Sequence, residues 1–484
     1  MGELLRRHWF IIAVTLAAAF LRFYNLSDSL QFLGDQGRDA LVMYRIFSQR
    51  DLPFIGPITS VGGFYLGPLY YWFMAPFLWA AGFDPVGPAL ATALIGVITV
   101  PLLYFVTRKL FDPLSARWAS LLYALAFIPV SETRSAWNPN PMPLAALGLL
   151  YGLYQAQKTK NGRWLYLAGL SLGLGLQLHY MIVFLAPFLL WQGANLLKNK
   201  KRRPFFLKSL GLMAILMLPL ILFEIKNNFL NYRGLIEFFT KNQYSQVNLI
   251  QKIKDLNGRS EQAVGMVLGF GRDFSLVRAW VTRLFLLAAA WAWYRGRSLS
   301  LKLLFGWLVL SIAALVFYHA NIYPHYLGFL FPVVFILLGF LLARLKGKLF
   351  PFALALAWLF FWYNLPQVKE VLAYQGNLKN VKQTSGFILE DIKANGHTQV
   401  NVALLDDTRD YRASNYRYFL EVTGVNLLDF DQYPEAQVLY VVSPYEQKDL
   451  LTNPTWEIQS LKPAEVIAAE RLTTGDFVYK IQRL

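Results

Sequence analysis

Cysteine is absent from all 484 residues, which excludes a disulfide framework and a thiolate metal site and leaves the compartment open. Charge is scarce too: charged side chains make up 15% of the chain against 56% hydrophobic, and histidines number 5. A chain so poor in charge, with mean hydropathy +0.37, is a multi-span membrane protein rather than a soluble globule. Neither an internal repeat nor a low-complexity tract is evident, and no RNA- or DNA-binding pattern appears. The net charge of +17 does not point to nucleic acid either, because from Gln367 onward there are 12 Lys and Arg against 16 Asp and Glu, leaving +21 for the part before it. The surplus belongs to the apolar part, where membrane topology explains it.

What is present is a series of apolar windows, at about 9–23, 86–106, 116–130, 141–157, 164–178, 181–197, 205–223, 274–293, 301–318, 326–342 and 350–365. The short basic start and the window at 9–23 resemble a signal peptide, with Ala17-Ala18-Ala19 as a cleavage site. The later spans favour an uncleaved anchor. Short basic loops at 108–117, 158–163 (KTKNGR), 198–203 (KNKKRR), 295–297 and 344–348 are assigned to the cytoplasmic side with the N-terminus. An even number of crossings before Arg108 then requires the aromatic segment 65–82, interrupted by Pro68 and Pro76, to lie along the outer leaflet without crossing. The expectation is mainly α: about eleven transmembrane helices, one outer-leaflet helix and an external C-terminus.

On the outer side this arrangement gathers most of the non-basic polar punctuation. The octet Leu33-Gly34-Asp35-Gln36-Gly37-Arg38-Asp39-Ala40 follows the first window. If it opens a helix running to about Gln49, Asp35, Arg38 and Asp39 share one face. That face offers a general base beside a phosphate-binding cation; alternatively Asp35 caps the helix and Asp39 complements its dipole. Arg38 is a phosphate ligand or the ion-pair partner of Asp39. Glu132-Thr133-Arg134 with Trp137-Asn138-Pro139 ends another window; Arg134 either holds an anion or snorkels to the interface. His179-Tyr180 and His325-Tyr326 interrupt or begin apolar segments. Each is a phosphate or metal candidate or a structural hydrogen bond, and His325-Tyr326 alternatively joins an aromatic belt. Lys226 and Arg233 could grip phosphate, and Leu235, Ile236, Phe238 and Phe239 suggest an amphipathic segment on the bilayer.

From Gln367 the composition shifts. Residues 399–405, 438–442 and 477–481 read as strands and 408–421 as a helix, so 367–484 is expected to form a small extracytoplasmic α/β domain after a membrane domain at 1–366.

In order and spacing the chain resembles the GT-C membrane glycosyltransferases, the family that includes protein O-mannosyltransferases and lipid A aminoarabinose transferases. The residues that carry the resemblance are Asp35, the helix start Gly67-Pro68-Leu69-Tyr70-Tyr71-Trp72, Arg108-Lys109-Leu110-Phe111, Arg134 with Asn138-Pro139, and His325-Tyr326 before Pro332. The resemblance implies a polyprenyl-phosphate sugar as donor, chemistry on the outer face and Asp35 as the acidic base. The family usually has Asp-Glu where this chain has Asp35-Gln36, and Asn138 stands where many relatives have an acid. Both departures count against a metal site, since a second carboxylate would have to come from Asp39, and a divalent metal ion is left as an open cofactor.

Chemistry leads the same way: a polyprenyl phosphate leaving group calls for cations in a water-poor site, which Arg38, Arg134, His179 or Lys226 could supply, and an acceptor hydroxyl calls for a carboxylate base. The expected function is transfer of a sugar from a polyprenyl-phosphate donor to a protein, lipid or glycan acceptor outside the cell membrane, with inversion. Asp35 is the expected base. Arg38, Arg134, His179, Tyr180, Lys226 and His325 are the expected donor-phosphate residues, with Asp39, Asn138 and Tyr326 as further site candidates. The alternatives are a transporter or lipid-linked-sugar flippase, which would carry ionisable residues mid-span in two matching halves, and a non-catalytic scaffold.

Overall fold

The computed structural model describes residues 2–59, 63–240, 249–270, 275–318 and 320–484. In chain order the first helices are α1 (Gly2–Phe23), α2 (Gly34–Ser48), α3 (Leu69–Ala80), α4 (Val86–Leu110), α5 (Pro113–Leu125), α6 (Phe127–Glu132), α7 (Met142–Lys158) and α8 (Trp164–Leu178). There follow α9 (Ala186–Lys198), α10 (Arg203–Leu216), α11 (Leu218–Lys226), α12 (Leu230–Thr240), α13 (Leu249–Ser260), α14 (Ser275–Gly296), α15 (Leu299–Leu315), α16 (Phe331–Arg344) and α17 (Phe350–Ala373). The C-terminal part runs α18 (Leu378–Asn395), β1 (Val400–Leu404), α19 (Ser414–Val422), β2 (Val438–Ser443), α20 (Trp456–Gln459), β3 (Ala464–Arg471) and β4 (Phe477–Arg483).

Among the described residues, four helical segments are long and apolar enough to cross a membrane: Val86–Leu110, Tyr180–Lys198, Ser275–Gly296 and Gly347–Asn395. A fifth is reached if α10 and α11 form one span bent by 61°. This is fewer than the about eleven crossings read from the apolar windows. Part of the difference is breakage: α5 stops at Ala126, α10 at Met217, and α8 and α15 are too short to qualify. Leu235 and Ile236 of α12 are exposed, as an interfacial segment requires, while the side chains of Phe238 and Phe239 lie outside the described residues.

The chain divides into two compact units. The first holds Met1–Tyr24, Pro53–Phe73 and Ala89–Ala373; the second holds Asn25–Leu52, Met74–Pro88 and Tyr374–Leu484. The composition shift at Gln367 falls inside α17, and the second unit draws in two stretches from the N-terminal quarter, one of them the octet.

The first unit is organised around the break between α5 and α6. Ala126 is extended (ψ 137°), so backbone groups on either side lose their helical partners. Arg22, fully buried in α1, donates to the carbonyls of Ala124 (3.2 Å) and Pro129 (3.4 Å). The freed amide of Phe127 is taken by Asn364 Oδ1 (2.8 Å), whose Nδ2 donates to Leu268 and Phe360. In return Arg134, just past α6, donates through Nη1 to the carbonyls of Leu21 (2.9 Å), Arg22 (3.3 Å) and Tyr24 (2.9 Å) at the end of α1. Each helix thus supplies an arginine to the open backbone of the other. Where lipid offers no hydrogen bonds, an unpaired buried carbonyl would cost about 1–3 kcal/mol.

In the second unit, parallel β1 and β2 are followed by antiparallel β4 and β3, in the order β1-β2-β4-β3. β1 and β2 are buried at every position, while β3 is an exposed edge that the sequence pattern does not announce. The helix expected at 408–421 starts only at Ser414, because Asp406 folds the chain back on Thr408 N (2.9 Å) and Ala413 is left-handed (φ 52°). The octet does open a helix, α2, which lies on α19. A Cβ on Gly37 would stand 2.5 Å from the Asn415 Cα, and one on Gly34 would collide with the Asp410 side chain. Arg45 closes the far end of this pair on Glu421 Oε2 (3.0 Å). The Gly37→Ala variant is expected to loosen the C-terminal unit by about 1–3 kcal/mol, seen as faster proteolysis within 374–484 of the purified protein. Unchanged proteolysis would remove the α2–α19 contact from this account.

Candidate functional site

The octet is built by the first turn of α2. The capping role is not filled by Asp35: Gln36 Oε1 accepts from the Leu33 amide (3.1 Å), which leaves Asp35 in the first turn, 42% exposed at its side chain. Arg38 bridges two acids, with Nη1 on Asp35 Oδ1 (2.7 Å) and Nε and Nη2 on Asp39 Oδ1 (2.9 and 2.8 Å). Asp39 is buried to 1% and locked in that bridge, whereas Asp35 still faces solvent. Of the three, Asp35 is the carboxylate with room to meet another molecule.

The first unit carries a separate cluster of histidines and aromatics. His179 follows α8, and its Nδ1 accepts from Met181 N (3.3 Å), which leaves Nε2 as the donor nitrogen. Its ring lies 4.6 Å from those of both Tyr180 and Tyr326. His325, in the turn before α16, stacks on Trp137 at 4.2 Å and meets Tyr326 edge-on at 4.7 Å. Tyr180 and Tyr318 share a hydroxyl contact of 3.0 Å. Glu132 completes the group, with Oε2 at 3.9 Å from His325 Nδ1. Sequence reasoning did not single out Glu132, Trp137 or Tyr318 as site residues; the only signal was that Glu132 directly precedes two polar residues at the end of an apolar window.

The remaining candidates have other positions. Arg134 spends its Nη1 on the carbonyls of α1. Asn138 donates to the carbonyl of Leu178 (2.5 Å) and so braces the end of α8 beside His179. Lys226 is exposed in the last turn of α11. Among the described residues no group of three or more His, Cys, Asp and Glu could hold a metal ion.

Burial pushes the Glu132 carboxyl up to about 8 and the imidazoles of His325 and His179 down to about 4 and 3, the last also through the neighbouring His325. At neutral pH the cluster therefore holds a protonated acid beside neutral imidazoles, which can donate to an anion without burying a net charge. The two signs oppose. Glu132 has a raised value, so its contribution to stability is complete below about 4.5 and is lost as pH rises through about 8. His325 has a depressed value, so its contribution is complete above about 6.5 and is lost as pH falls through about 4. Glu132→Gln keeps the shape without the ionisation. Thermal melts in detergent should show the wild type losing stability between pH 6 and pH 9 and the variant losing less; equal slopes would place Glu132 in water.

Residues 66–224 match the family model described as dolichyl-phosphate-mannose-protein mannosyltransferase. No curated protein matches the sequence. In fold, the chain is similar to ArnT from Cupriavidus metallidurans, both bound to undecaprenyl phosphate (13% identity, TM-score 0.61, 98% of each chain) and in the apo state (14%, 0.60, 97% of each). It is also similar to the Archaeoglobus fulgidus oligosaccharyltransferase in complex with zinc and sulfate (14%, 0.56, 90% of this chain and 67% of that one). The resemblance to GT-C glycosyltransferases read from the residues is thus met again in a family match across 66–224 and in a shared fold across nearly the whole chain.

Proposed function

We propose that this chain is a membrane-embedded glycosyltransferase that moves a sugar from a polyprenyl-phosphate carrier to an acceptor on the extracytoplasmic face. The observation that carries the reading is Asp35, a half-exposed carboxylate held at one oxygen by Arg38 on the first turn of α2. The fold shared with an undecaprenyl-phosphate-bound ArnT supports a lipid-linked donor.

In the proposed reaction Asp35 accepts the proton of an acceptor hydroxyl. The hydroxyl oxygen forms a bond to the anomeric carbon, the bond from that carbon to the phosphate oxygen breaks, and polyprenyl phosphate leaves. Attack opposite the leaving group inverts the anomeric centre. The leaving phosphate needs donors that water does not already satisfy, and His179 through Nε2, Tyr180 and His325 are proposed as such donors in a water-poor cluster. Arg134 enters as the residue that sets the loop 132–140 against the end of α1, and Asn138 as the brace of the His179 turn. Arg38, with Asp39 behind it, holds Asp35, and Lys226 stays a candidate for donor phosphate on the strength of its charge.

The topology proposed with this function keeps the basic loops inside, about eleven crossings, and the domain 367–484 outside on the same face as Asp35. Asp35→Asn should lower turnover of purified, lipid-supplied protein by at least about 10²-fold with unchanged thermal stability. Retained turnover would remove Asp35 as the base.

A further inference from the structure

The loop between β1 and α19 carries Asp406, Asp407, Arg409, Asp410 and Arg412 within seven residues and forms no strand of its own. Two of its non-glycine residues, Arg409 (φ 60°) and Ala413 (φ 52°), stand in the left-handed region that L side chains avoid, so surrounding contacts must hold the path. Those contacts are visible. Asp406 Oδ1 accepts from Thr408 N (2.9 Å), Tyr445 donates to Asp407 Oδ2 (2.7 Å), and Asp410 accepts from Ser414 N (2.9 Å) and Ser414 Oγ (3.3 Å).

The path delivers Asp410 to the first turn of α2, inside the same unit. The space a side chain at position 34 would need is filled by the Asp410 carboxyl, so glycine there is what admits the acid next to Asp35. The groups that face Asp410 are Asp35 from α2, Asp406 from its own loop and Tyr433 from the turn before β2, together with the Ser414 donors. Burial raises the Asp410 carboxyl above the usual carboxylate range, and the charges of Asp35 and Asp406 add to the rise against the Ser414 hydrogen bonds. Gln36, which follows Asp35 in the chain, brings no charge, and its side chain is spent on the Leu33 amide.

We propose that Asp410, reaching α2 from the C-terminal domain across Gly34, is a positioning residue for Asp35 and sets the orientation of its carboxylate. The proposal rests on the reading of Asp35 as the base. Arg38 attracts one oxygen of Asp35, and Asp410 presents like charge to the same carboxylate, so attraction on one side and repulsion on the other turn the remaining oxygen outward.

The test uses the full chain, purified in lipid nanodiscs and supplied with a polyprenyl-phosphate sugar. Asp410→Asn keeps an oxygen to accept from Ser414 N while losing the charge. The expected result is a fall in kcat of about tenfold or more with a KM for the donor within about twofold. Wild-type kcat in a folded Asp410→Asn protein would overturn the proposal. Should that variant not fold, Gly34→Ala, which displaces the carboxyl but keeps its charge, carries the same expected fall in kcat, and wild-type kcat there overturns it equally. If Asp35→Asn itself keeps its turnover, it is the base assignment that falls; if Asp35→Asn is inactive and Asp410→Asn is untouched, only the positioning role is lost.

Discussion

The first unit depends on one constraint: a helix broken inside an apolar bundle must find hydrogen-bond partners in protein, because lipid offers none. α5 and α6 are broken at Ala126, and the partners come from Arg22 and Asn364, both fully buried. The exchange is mutual, since Arg134 closes the carbonyls at the end of α1. This crossed pair of arginines fixes where α1 stops and where the loop 132–140 begins. Backbone carbonyls meet the positive charge at each place.

The two units, each taken by itself, hold two kinds of chemical group. One holds neutral donors among stacked rings: His179, Tyr180, His325 and Tyr326, with Glu132 kept protonated by burial. The other holds Asp35, a carboxylate with access to solvent, tied to Arg38, with the half-buried Asp410 against Gly34. Neutral donors suit a phosphate that arrives in an apolar setting with its own charge; an exposed carboxylate suits a hydroxyl that must lose a proton.

Much of this was legible in the residues. The octet opens a helix where the spacing of Asp35, Arg38 and Asp39 places one, and the apolar windows fall on helices. What pattern reading lacked was partners. The glycines at 34 and 37 are explained by Asp410 and by α19, more than 370 residues away in the chain, and no local signal announces those contacts. Arg134 was read as either an anion ligand or a snorkelling side chain, and neither reading contained its attachment to carbonyls, which every residue has and no sequence displays. The stretch 408–413 has helix-forming side chains, yet Asp406 and Asp410 compete for its backbone and turn it into a loop. β3 is missed because an exposed edge strand has no buried face to give it a period.

The most direct measurement of the central claim is the configuration of the product. Purified protein in nanodiscs, given a polyprenyl-phosphate sugar of known anomer and an acceptor pool from the cell envelope, should release polyprenyl phosphate only when acceptor is present, and magnetic resonance of the product should show the opposite anomer. Movement of the intact lipid-linked sugar across the bilayer with no cleavage of its phosphate bond, or a product with the donor's own anomeric configuration, would contradict the account.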